Sequence, residues 1–78
     1  MKPFHAAVNR VLRTYELRQE HANTRASALT SAEIYWACEM LESIAAAAAY
    51  SGSSEAVSIR AMAELWRKTE RTPEPFIV

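Results

Sequence analysis

Cys38 carries the one thiol of this 78-residue chain, and His5 and His21 are its two imidazoles. A cysteine nucleophile needs a base within hydrogen-bond reach to draw off its proton. Helical spacing puts Cys38 on the apolar side of its helix, where a thiol is ordinarily inert. The same spacing turns both histidines away from the apolar stripe of their own helix, so neither is delivered to Cys38. General acid–base work would fall to glutamate, because all nine acids are Glu. Glu39 and Glu42 stand one turn apart and could pair in a site, yet on a polar helix face they read as solvated charges. The histidines form no HxxxH or ExxH pair for a metal, and a lone cysteine makes neither a thiolate zinc site nor an intramolecular disulfide. Gly52 is the only glycine, so no glycine-rich loop can cradle a phosphate. These residues predict no catalytic, cofactor or metal site. The chain does not read as an enzyme.

The elements that would position any site are helical. Half of the residues are hydrophobic, and fifteen of these are alanine. With one glycine, three prolines and few β-branched residues, that composition argues for an all-α chain. Seventy-eight residues make a single domain, 1–78, with a small core. Without a disulfide or a metal, association is the remaining means of stabilising it. No secretory signal or membrane-length apolar run is present, which places the expected chain in the cytoplasm. Arginine and alanine enrichment suggests a small bacterial or phage protein. Net charge is zero but uneven: residues 1–29 hold +3, residues 30–56 hold −4 and residues 57–78 hold +1. Bulk charge therefore supplies no drive toward nucleic acid.

The first helix is expected over about residues 3–22, with Pro3 at its first position. Phe4, Val8, Val11, Leu12 and Tyr15 recur every three or four residues and fill an arc of about 100°, enough for one packed surface. Asn23–Leu29 is the expected connection. The second helix, about 31–50, opens on a capping box, Thr30-Ser31-Ala32-Glu33, with Leu29 and Ile34 at the staple positions. Gly52 suits the left-handed residue that ends it. From Trp36 through Ala47, Met40, Ile44, Ala37, Ala48, Leu41, Ile34 and Ala45 to Cys38, its apolar arc spans about 200°. The run Ala45–Ala49 is either a surface for close helix approach or simply strong helix former. The third helix, about 54–70, is capped by Ser53 or Ser54 and spreads Ala61, Leu65, Met62, Trp66, Ile59 and Ala63 over a similar arc. Three residues between the two wide helices predict an antiparallel hairpin. The tail, 71–78, is extended by Pro73 and Pro75, and its apolar end should pack back across a groove or onto a neighbouring chain.

Arcs this wide need neighbours on two sides. The expected fold is a three-helix architecture associating as a helical-bundle homodimer, and the expected interface is Trp36, Met40, Ile44, Ala47, Ala48, Met62, Leu65, Trp66, Phe76 and Ile77. Trp36, Met40, Met62 and Trp66 read first as core and second as a partner-binding patch, and a homodimer satisfies both readings. The function this implies is a regulator, adaptor or inhibitor that covers another protein with an apolar helical face, a kind of protein that suits a phage or mobile-element origin. The alternative is a dimeric DNA-binding regulator with a degenerate helix-turn-helix around Ala48 and Gly52. There, Ser58 stands where an apolar residue is usual, and the basic residues of the third helix are matched by glutamates. The basic set on helix 1 (Arg10, Arg13, Arg18) and Arg25 is offset by the acids of helix 2.

Overall fold

The computed structural model describes the backbone of residues 2–21 and 30–78, and the side chains of residues 2–16 and 30–78. Three helices follow in order: α1 (Pro3–His21), α2 (Ser31–Tyr50) and α3 (Glu55–Thr69). Among the described residues there is no strand, and no helix is long and apolar enough to cross a membrane. The expected connection at Asn23–Leu29, the Leu29 half of the staple, and the side chains of Arg18, His21 and Arg25 lie outside the described residues.

Helix ends follow the local chemistry closely. The Lys2 carbonyl accepts from Ala6 at 3.0 Å, so Pro3 takes the first helical position, where its missing N–H is no loss. At the start of α2 the Thr30 hydroxyl accepts from the Glu33 N–H at 3.2 Å, and the Glu33 carboxylate accepts from the Thr30 N–H at 2.9 Å. These reciprocal bonds satisfy donors that a helix start otherwise leaves open. At its end, Gly52 adopts φ 74°. Gly52 donates to Ala49 and Ser53 donates to Ala48, the pair of bonds of a Schellman motif. For α3 the cap belongs to one serine of the two. Ser54 occupies the N-cap position without a side-chain bond, while the Ser53 hydroxyl accepts from the Glu55 N–H at 3.1 Å. Glu70 ends α3 in the left-handed region at φ 57°.

α2 and α3 make the largest helix–helix contact, and they run antiparallel. The Cys38 thiol donates to the Ala63 carbonyl at 3.5 Å, and Arg67 donates to Glu39 at 3.0 Å. Both contacts lie about 15–20 Å of helix away from the Ser51–Ser53 turn. The two helices of a helix-turn-helix cross steeply and diverge from their turn; these stay side by side. Small residues permit it: Ala37, Ala45 and Ala48 of α2 and Ala56 and Ala63 of α3 are all buried. α1 adds Val8, Leu12 and Tyr15 to this core, with Phe4 and Val11 half-buried against it.

Trp66 is the largest fully buried side chain, and the Tyr15 ring meets it edge-on at 6.1 Å. The expectation that Trp66 borders an outer association face is therefore not met on this chain. On the helical wheel Trp66 stands beside Ile59, and α1 closes over that side of the hairpin. Trp66→Ala should cost about 3–5 kcal/mol of stability and leave a chain of this size largely unfolded. Trp36→Ala should cost less than about 1 kcal/mol. Urea melts followed by circular dichroism check both; equal effects would contradict this placement.

Candidate partner-binding surface

The packing of α2 against α3 and α1 divides the wide apolar arc of α2. Ile34, Ala37, Cys38, Leu41, Ala45 and Ala48 face inward. The other edge remains outside: Trp36 is 62% and Met40 47% exposed. Ser43, Ala47 and Tyr50 are exposed as well. Trp36, Met40, Ser43, Ala47 and Tyr50 alternate spacings of four and three, so they fall on one line opposite the core, about 21 Å long. The stripe has no charge. Tyr35 lies beside it, its ring edge-on to Trp36 at 5.3 Å.

Of the remaining interface candidates, Ile44 and Met62 are half-buried against the core, and Ala48 is fully buried. Leu65 is exposed on α3 together with Val57 and Ala61. Tyr35, Ser43 and Tyr50 are members or neighbours of the stripe that the wheel alone assigns to the polar side of α2. Their four–three spacing from Trp36 and Met40 is the signal in the sequence that marks Ser43 and Tyr50.

Glu39 and Glu42, near the stripe, share one cation of the same chain. Arg67 donates to Glu39 at 3.0 Å and pairs with Glu42. The Glu42 carboxylate pushes the guanidinium's already high pKa further up. All three groups are partly exposed, so the pairs add less than about 1 kcal/mol each. Their effect is positional: the acids of α2 are engaged by α3, where pairing with the basic side of helix 1 explains them equally well from sequence.

The tail supplies the main correction to the reading of α1. Asn9 holds Phe76 with two 2.8 Å bonds, its side-chain N–H donating to the Phe76 carbonyl and its oxygen accepting from the Phe76 N–H. Phe76 stacks on the His5 ring at 3.9 Å and 10°. The tail runs back along α1, from Pro73 near Leu12 to Val78 near Lys2 and Pro3. Phe76 thus packs back across α1, whereas Ile77 is 94% exposed. His5, expected to turn away from the core, is buried. It stands about 20° beyond Leu12 on the wheel, and the tail and the start of α3 cover that edge. The Glu55 carboxylate accepts from the His5 backbone N–H at 2.7 Å, one of the donors a helix start leaves open.

His5 Nε2 lies 2.7 Å from the Ser58 hydroxyl, which itself donates to the Glu55 carbonyl at 3.0 Å. Which of the two atoms donates depends on the imidazole tautomer. Among the described residues Nδ1 has no partner, and the Glu55 carboxylate accepts from the His5 backbone N–H and the Ser53 hydroxyl instead of orienting the ring. This is a packed polar junction between the starts of α1 and α3. Cys38 is fully buried, and burial raises its thiol pKa. Among the described residues no three of His, Cys and Glu gather as metal ligands.

No family model, curated protein or solved structure matches this chain.

Two measurements probe this geometry. Cys38 should resist iodoacetamide at mildly alkaline pH and react fully only in denaturant; rapid native alkylation would show that the α2–α3 contact opens. Asn9→Ala should speed hydrogen exchange at the Phe76 amide and cost about 1–2 kcal/mol; unchanged exchange would mean that the tail is held otherwise.

Proposed function

We propose that this chain is a small helical protein-interaction module, acting as a regulator, adaptor or inhibitor by covering a functional surface of another protein. The observation that carries the reading is the uncharged outer stripe of α2, where Trp36 and Met40 stand exposed beside Tyr35. Large apolar side chains cost free energy in water, and tryptophan, tyrosine and methionine are enriched where proteins meet. The mechanism is occlusion. The hairpin is the rigid element, because α2 and α3 pack along most of their length, and the stripe is its contact face. The proposed setting is the cytoplasm.

Nucleic-acid binding finds less support. The exposed side of α2 is uncharged along its centre, and Arg67 is engaged by Glu39 and Glu42. A surface that reads phosphates needs a basic excess.

The test compares the wild-type chain with the double variant Trp36→Glu/Met40→Glu. Both positions are exposed, so the helical circular-dichroism signal should be unchanged. Tagged protein at nanomolar concentration in extract of its native host should retain a specific protein that the variant loses by at least about tenfold, a difference of about 1.4 kcal/mol. Identical retention by the two would refute the stripe as the contact face. Binding of random duplex DNA that weakens steeply with salt would instead favour nucleic acid.

A further inference from the structure

We propose that the groove between α1 and the start of α3, which the tail covers, is a docking site for an extended peptide segment of a partner protein. The tail is its intramolecular stand-in. This surface is separate from the outer stripe of α2, and neither reading needs the other.

The grip on the tail is that of a peptide-recognition site. Asn9 bonds the N–H and the carbonyl of Phe76 at 2.8 Å each. Both groups belong to the main chain, so the clamp takes any extended residue that has an N–H. The His5 ring, stacked on Phe76 at 3.9 Å, supplies the preference for an aromatic side chain. Pro73 and Pro75 hold the segment extended before it docks, which lowers the entropy lost on binding, as in other grooves that read proline-rich segments.

The tail fits this groove incompletely. Phe76 is only half-buried, and Ile77 and Val78 are exposed. Open space of about 310 Å³ remains where Thr72–Pro75 pass Leu12 and Glu16. A further space of about 420 Å³ lies between Val78 and Pro3, Ala6 and Ala7. With the tail in place, the buried His5 ring keeps an Nδ1 that has no hydrogen-bond partner among the described residues. A strap that served only to close the core would bury its apolar residues and satisfy that ring. This one is gripped at a single residue, and its release leaves the α2–α3 contact intact.

Charge defines the partner further. Lys2 and Arg10 line the space beside Val78, and both are exposed. Neither has an ion-pair partner among the described residues. The tail offers them only Ile77 and Val78 as side chains. The segment that suits the whole groove therefore has proline before an aromatic residue and acidic residues directly after it.

The probe is a fluorescein-labelled synthetic peptide, Pro-Glu-Pro-Phe-Glu-Glu, titrated with the full chain and read by fluorescence polarisation. Phe76→Ala frees the groove and should bind the probe at least about tenfold more tightly than the wild-type chain, where the tail competes at high effective concentration. Adding Asn9→Ala should remove that gain, and a probe with alanine for phenylalanine should not bind. Lysines in place of its last two glutamates should weaken binding, and unchanged affinity would overturn the acidic preference. Equal binding by the wild type and Phe76→Ala would overturn the proposal, as would no binding by a Phe76→Ala chain with unchanged helical circular dichroism. If Phe76→Ala does not fold, the wild-type chain decides. Saturating probe should speed hydrogen exchange at the Phe76 amide by displacing it from Asn9, and unchanged exchange would overturn the docking site.

Discussion

Helices whose facing positions are alanine can approach until a side chain of one reaches the backbone of the other. α2 and α3 do so where the Cys38 thiol meets the Ala63 carbonyl. Much of the remaining structure follows from that contact. It consumes one side of the α2 arc, places Trp66 under α1 and brings Arg67 across to Glu39 and Glu42. It also leaves α2 with an outward face that is still apolar, because a close pair of helices covers only one side of each.

The second organising feature is the shared use of one carboxylate. Glu55 lies in the first turn of α3 and also accepts the His5 N–H in the first turn of α1. Helix starts carry partial positive charge and open donors, so an anion between two of them stabilises both. The contact draws the beginning of α1 to the beginning of α3. His5 is then enclosed by Ser58 and Phe76, and the tail has a surface on which to lie. Asn9 secures it through backbone groups that an extended segment cannot satisfy by itself.

Local features were legible in the sequence to different degrees. The Thr30–Glu33 capping box, the Gly52 terminus and Pro3 at the start of α1 are each decided within a few residues, and the structure shows them where the sequence places them. The placement of Cys38 in the apolar interior was legible for the same reason, since one helix wheel suffices. His5 was not. Its burial depends on Phe76, some seventy residues away, and on Glu55 and Ser58 in another helix. Trp66 was ambiguous because a wide arc announces an excess of apolar surface without saying which edge the neighbours will take.

By itself the sequence determined the helical class, the hairpin, most helix limits, and the presence of more apolar face than one stripe requires. Propensity, capping and periodicity act over a turn or two of chain, so they can be read without neighbours. Only the tertiary structure decided how that excess is divided. It placed Trp66 inside and Trp36 and Met40 outside, and it laid the tail along α1. The division depends on which helices stand beside one another and how closely, and that spacing is set by the alanines on both sides of the α2–α3 contact.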